Sequence, residues 1–223
     1  MKFKLFALLT LSSMLLSAAS DANKRIVDAA DSLKEIMAVP DRSVPQELLA
    51  KAQCVIMVPD LVKGAFFFGG HYGRGFATCR KADGVGWSAP GAIRIEGGSF
   101  GLQIGGSATD VFMLIMNKKG MDRLLSTKFT LGGEAAAAAG PVGRSSQAET
   151  DAAMTAEILT WSRSRGLFAG ISLKGSTLRE DKDWNKELYG KELTNREIIL
   201  NGVAPPASAA ELLGELNRFS SRK

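Results

Sequence analysis

Gly69-Gly70-His71-Tyr72-Gly73-Arg74-Gly75 lies between two strand-like segments, Ala65 to Gly70 and Arg74 to Arg80. Four glycines in seven positions suggest a phosphate-cradling loop, but the spacing G-x-G-x-x-G is missing. No helix follows to offer its N-terminal amides to an anion. The glycines are therefore read as architecture: they permit a tight hairpin and let neighbouring strands approach closely. On this reading the glycines break the chain into two strands.

Working outward, the period of two or unbroken apolar runs recur across the middle of the chain. Cys54 to Val58 reads as a buried strand closed by Pro59. Ile93 and Ile95 alternate with Arg94 and Glu96, and Phe100, Leu102 and Ile104 alternate with Gly101, Gln103 and Gly105. Val111 to Met116 is a second buried run, and Glu157 to Ser162 with Gly166 to Lys174 flanks Arg163-Ser164-Arg165 as a hairpin. Ala135 to Ala139 reads equally as helix or as a small-residue strand.

Helices bound this region. Ile26, Ala30, Leu33 and Met37 recur at spacings of three and four from Asp21 to Val39. Ser43 with Gln46 forms a capping-box pattern for a short helix to Ala52, and Lys118 to Ser126 suits another. Asp181 to Tyr189 and Thr194 to Leu200 follow, and Ser208 with Glu211 caps a last helix carrying Leu212, Leu213, Leu216 and Phe219. The fold class expected is α+β: a strongly curved, mostly antiparallel, glycine-rich and barrel-like sheet with helices at both termini.

The N-terminus reads as an export signal over residues 1–19. Lys2 and Lys4 precede an apolar run from Leu5 to Leu16, followed by Ser17, Ala18, Ala19 and Ser20. The run falls short of the roughly 20 residues that span a bilayer as a helix. Residues 20–223 then form a single domain, with its core at about 26–189 and a helical tail. The formal charge of +5 falls by two when Lys2 and Lys4 leave with the leader. That is too little to argue for nucleic acid. Cys54 and Cys79 are the two cysteines of the chain. In an oxidising compartment an even pair points to a disulfide, with two buried thiols as the alternative.

Catalytic patterns fail on their partners. Gly97-Gly98-Ser99-Phe100-Gly101 matches G-x-S-x-G, but His71, the single histidine, precedes the serine and no alternating strand–helix pattern surrounds it. Asp181-Lys182-Asp183-Trp184-Asn185 begins like a calcium loop, yet its sixth position is Lys186 where glycine is needed. No metal site, cofactor or catalytic residue is expected. Basic residues near glycine turns, Lys63, Arg74, Arg94 and Arg144, are the candidates for contact with lipid headgroup phosphates. The amphipathic first helix, with Lys24, Arg25, Ile26, Leu33 and Met37, is a candidate membrane-contacting element; core packing of its apolar face is the alternative.

Five glycine motifs in order carry a resemblance. Cys54-Val55-Ile56-Met57-Val58-Pro59 leads through Val62-Lys63-Gly64-Ala65-Phe66 to the stretch at 69–75. Gly97 to Gly106, Ala139-Gly140-Pro141-Val142-Gly143-Arg144, and Gly166 to Leu173 with Gly175 follow. The chain resembles the SYLF family, from about Ile26 to Tyr189. The resemblance implies a lipid-binding domain, with phosphoinositide recognition in eukaryotic members and F-actin binding in some fungal ones. It brings no catalytic residues. For an exported chain, periplasmic or secreted, what it implies is engagement of anionic membrane lipid at a membrane surface. An envelope protein partner is the alternative.

Overall fold

The computed structural model describes residues 20–38, 43–66, 68–99, 107–143, 155–164 and 167–220, of which 63–66, 68–69, 99 and 107–108 by their backbone alone. Helix α1 (Asp21–Met37) opens the domain, capped by the Ser20 hydroxyl, which accepts from the Asn23 amide. A short α2 (Gln46–Lys51) leads into β1 (Cys54–Phe66), β2 (Phe68–Cys79), β3 (Gly91–Ser99) and β4 (Ser107–Ile115). After α3 (Lys118–Leu124) come β5 (Lys128–Thr130), β6 (Ala137–Ala139), β7 (Ile158–Ser164), β8 (Leu167–Gly170) and β9 (Thr177–Glu180). Helices α4 (Lys182–Tyr189), α5 (Asn195–Leu200) and α6 (Ala210–Phe219) close the chain.

The strands form one curled sheet in the order β5-β9-β3-β2-β1-β4-β7, with β6 and β8 sharing the far edge of β7. Every pairing is antiparallel except β6 on β7. The two end strands β5 and β6 are joined by the residues from Leu131 to Ala136, so a short tether links the opposite edges. The ambiguous alanine stretch is thus strand, held by β7.

Alternation sorts the core into two layers. Cys54, Ile56, Val58, Ile93, Ile95, Met113, Phe129 and Leu178 fill the concave side. Leu124, Leu125 and Ile199 join that layer from α3 and α5. Val55, Met57, Phe76, Phe112 and Trp161 face the convex side, where Ile26, Leu33, Leu212 and Leu216 of α1 and α6 cover them. A strand buried on both faces needs an unbroken apolar run, as Cys54 to Val58 has.

Glycine does not break the second strand: β2 runs through Gly69–Gly75 without interruption. The reason lies in β1, which carries a bulge between Val58 and Leu61 with Asp60 at φ 49°. The bulge accommodates Pro59, so β1 continues past it to Phe66. A Cβ on Gly75 would overlap the Met57 carbonyl and stand 2.8 Å from Val58 Cα. One on Gly73 would stand 2.7 Å from Val58 Cγ1. The hairpin expected around Arg163-Ser164-Arg165 corresponds to the antiparallel pair β7 and β8, in which Arg163 and Ser164 belong to the strand, opposite Phe168 and Leu167.

Cys54 and Cys79 stand directly opposite across β1 and β2 and are disulfide-bonded, Cα–Cα 3.9 Å. Two expected caps are not made. Helix α2 starts behind Pro45 with no side-chain cap, and the Ser208 hydroxyl bonds Asn23 Oδ1 at 2.6 Å, pinning the tail to α1. Thr194 and Glu197 do form a capping box on α5.

Candidate functional site

The sheet register assembles a row of cations that sequence separation conceals. Arg74 of β2 pairs with Arg94 of β3, Arg94 with Arg179 of β9, and Arg179 with Lys128 of β5. Four adjacent strands at about 4.8 Å spacing make a basic row about 14 Å long. It lies on the convex side, because Ile93, Ile95, Leu178 and Phe129, the neighbours in sequence, are in the concave layer. Like charges directly opposite one another destabilise a sheet. Two of the four are neutralised within the fold. Asp181, 1% exposed, takes Arg74 in a bidentate pair, Nε–Oδ2 2.6 Å and Nη2–Oδ1 2.7 Å. Glu96 pairs with Arg179.

Arg94, in the middle, has no carboxylate within salt-bridge distance among the described residues. Its Nε is buried without a hydrogen-bond partner among them. Lys128 is exposed at the sheet edge. Among the described residues, neither Arg94 nor Lys128 is paired with a carboxylate, unlike Arg74 and Arg179.

Arg74 serves the fold instead. Its guanidinium also sits 4.0 Å over the Trp184 ring, which stacks on Phe76 at 5.7 Å. Burial pulls its pKa down, but the hydrogen bonds and charge of Asp181 outweigh this and raise it. Asp181 in turn caps α4 through the Trp184 amide at 3.3 Å, so the acidic cluster that resembled a calcium loop is a helix start. Of the other candidates, the Lys63 backbone lies in β1 opposite His71 and Ser107, and Arg144 lies outside the described residues. Arg179 and Lys128, which are not among the four headgroup candidates named from the sequence, complete the row; register is the signal that places them beside Arg94.

The first helix is core. Ile26 and Leu33 are 0% exposed and Met37 6%, packed in the convex layer, so the apolar face proposed for membrane contact is already occupied. Arg25 donates to the Pro59 carbonyl at 3.1 Å and to Asp60 Oδ2 at 2.9 Å, tying α1 to the β1 bulge. Arg163 bridges Asp110 at 2.7 Å and Glu35 of the same helix. Desolvation raises the Asp110 pKa and lowers that of Arg163. Lys24 is exposed.

His71 is half-buried, and its Nε2 lies 2.9 Å from the hydroxyl of buried Ser176. Gly97 makes room for the ring, since a Cβ there would stand 2.6 Å from Cε1. The Ser99 backbone lies in β3 opposite Gly69, and the residues that complete G-x-S-x-G, Phe100 and Gly101, lie outside the described residues with the rest of the expected strand through Gly105.

The sequence model of the Ysc84 family, described as Las17-binding protein actin regulator, matches residues 96–219. The chain belongs to the Ysc84 family. This is the grouping that the ordered glycine motifs resemble. The matched segment includes Arg179 and Lys128 of the row and runs through α6. An SH3 domain-containing protein of Schizosaccharomyces pombe is 35% identical over 211 residues, 93% of this chain and 48% of its own length. The SH3 domain-containing YSC84-like protein 1 of Rattus norvegicus is 34% identical over 184 residues, 82% of this chain and 54% of that protein. LAS seventeen-binding protein 3 of Saccharomyces cerevisiae is 34% identical over 176 residues, 77% of this chain and 38% of its own. The chain thus spans about half or less of the length of these Ysc84-like relatives.

Proposed function

We propose that this Ysc84-family domain is a non-enzymatic binding module that engages anionic phospholipid or phosphoinositide-like headgroups at a membrane surface. The observation that carries the reading is Arg94: its buried Nε has no hydrogen-bond partner among the described residues, and it stands between Arg74 and Arg179 in a cross-strand row that ends at exposed Lys128. A phosphate supplies the anion that the row lacks, and arginine offers it a planar fork of donors. No helix among the described residues is long and apolar enough to cross a membrane, so the contact proposed is peripheral. Export to the periplasm or beyond is part of the proposal. It is supported by the leader-like residues 1–19 and by a disulfide suited to an oxidising compartment.

The test is vesicle co-sedimentation of Arg94→Gln and Lys128→Gln, singly and together. Losing two phosphate-contacting cations should weaken binding to anionic vesicles at least tenfold while leaving the melting temperature within a few degrees. Unchanged binding by the double variant would sink the assignment of the row.

A second reading rests on the relatives. One is named for binding a protein, LAS seventeen, and others for carrying an SH3 domain. The same basic surface would then meet an acidic protein partner of the envelope. Capture of a specific envelope protein by the purified domain, with no sedimentation on anionic vesicles, would favour it.

A further inference from the structure

Two carboxylates answer the basic row, and their surroundings differ. Asp181 is 1% exposed, caps α4 and holds Arg74 by two hydrogen bonds, so it is part of the fold. Glu96 is 40% exposed and its partner Arg179 38%. Glu96 stands two residues from Arg94 on the same face of β3, directly opposite Tyr72 of β2 and Thr177 of β9. No cation faces it across either ladder. It reaches Arg179 on the diagonal, two residues along β9 from Thr177, which requires two long side chains to extend. The contact leaves the Arg179 Nε, like that of Arg94, buried with no hydrogen-bond partner among the described residues. Exposed pairs of this kind contribute little to stability, because water screens them and the side chains lose freedom to meet. Two other carboxylates near the row are engaged elsewhere. Glu180 accepts from the Asn195 amide, and Glu134 from the Thr130 amide at 2.8 Å.

Arg94 and Arg179 are directly paired across β3 and β9, at a strand spacing of about 4.8 Å. Strands this close let two guanidiniums share one phosphate, whose oxygens accept from both planar forks. Glu96 fills part of that seat with a negative charge of the chain's own. A headgroup phosphate and the Glu96 carboxylate therefore compete for Arg179, and the two anions repel one another if both stay. The half-exposed Glu96 side chain is free to turn into water; buried Asp181 is not.

We propose that Glu96 is a displaceable internal counter-ion, which holds Arg179 in the free domain, limits affinity, and gives way when a phosphate settles between Arg94 and Arg179. This rests on the lipid reading of the basic row and adds where in the row the phosphate sits and what restrains its binding.

The test is co-sedimentation of the whole chain with vesicles of phosphatidylcholine and phosphatidylglycerol, comparing the native chain with Glu96→Gln and Glu47→Gln. Glu47 is exposed on α2, outside the row, so its replacement changes the net charge equally. At about 0.1 M salt, Glu96→Gln should bind about fivefold more tightly than the native chain, and Glu47→Gln within about 1.5-fold of it. Glu96→Gln combined with Arg179→Gln should return to about the native affinity. The melting temperature of Glu96→Gln should stay within about 4 °C of the native value. If the native chain sediments but Glu96→Gln binds no more tightly than Glu47→Gln, the counter-ion is overturned while the lipid reading stands. A gain that persists without Arg179, or a larger fall in melting temperature, overturns it too; the latter would make Glu96 structural, like Asp181. No sedimentation by either the native chain or Glu96→Gln overturns both. Inorganic phosphate added at constant ionic strength separates the two sources of the anion. Release of the bound chain would give the seat to free phosphate and overturn the lipid source, whereas unchanged sedimentation supports the headgroup.

Discussion

Replacing Arg74 by glutamine should unfold the domain more readily and leave lipid binding nearly intact. Its carboxylate partner Asp181 is 1% exposed and would lose guanidinium bonds of 2.6 and 2.7 Å, keeping the Trp184 amide at 3.3 Å. Breaking a buried ion pair by removing one partner costs roughly 3–5 kcal/mol. Arg74 keeps 28% of its side chain in water, so the lower end applies, about 3 kcal/mol. Loss of the cation–π contact on Trp184 adds about 1 kcal/mol. At about 2–4 °C per kcal/mol for a domain of this size, the melting temperature should fall by roughly 10 °C. Asp181→Asn should cost less, because the stranded guanidinium reaches solvent. The double variant should cost less than the sum, with a coupling of about 2 kcal/mol. Urea titration followed by tryptophan fluorescence gives all four corners of the cycle. A cost below about 0.5 kcal/mol for Arg74→Gln, or a coupling near zero, would show that the pair does not hold α4 to the sheet.

Gly75→Ala should abolish folding or cost more than about 3 kcal/mol, since the new methyl meets β1 backbone that cannot yield. Gly98→Ala, with open space around its Cβ position, should stay within about 0.5 kcal/mol in the same denaturation assay; equal effects would refute the packing argument. Converting both Cys54 and Cys79 to alanine opens a loop of 25 residues and should cost about 3 kcal/mol, against a reading of under 1 kcal/mol that would count against it. Glu197 is held below its ordinary pKa of 4.5 by the backbone and hydroxyl bonds of Thr194. A lowered folded pKa stabilises above the ordinary value and is lost as pH falls through it. The melting-temperature gap between the native chain and Glu197→Gln should be constant from pH 7 to about 5.5 and shrink below about 4.5. A gap that persists at pH 3 would contradict this.

What the sequence made legible is what depends on local alternation. Ile93 and Ile95 against Arg94 and Glu96 reported a half-covered strand, and Val111 to Met116 one covered on both sides. Where two distant segments meet, local reading failed. Gly73, between the two expected strands, looked like a strand breaker because glycine costs entropy in a strand, but the close β1 bulge is what it and Gly75 accommodate. Pro59 looked like an end because proline has no N–H to give the ladder, and the bulge of β1 accommodates it. Amphipathic period in α1 is identical for a helix on a sheet and a helix on a bilayer; only burial of Ile26 and Leu33 decides. The serine of an S-x-x-E pattern bonded Asn23 of another helix instead of its own amides. The basic row was hidden most thoroughly, because Lys128, Arg179 and Arg94 become neighbours through register alone.

The most direct test is equilibrium binding of the native domain to vesicles of increasing phosphatidylglycerol content, repeated from 50 to 500 mM salt. Affinity should rise with the anionic fraction and fall steeply with salt, because surface cations are screened within about 10 Å at 0.1 M. Binding insensitive to both variables, or none at any composition, would contradict an electrostatic lipid-binding role.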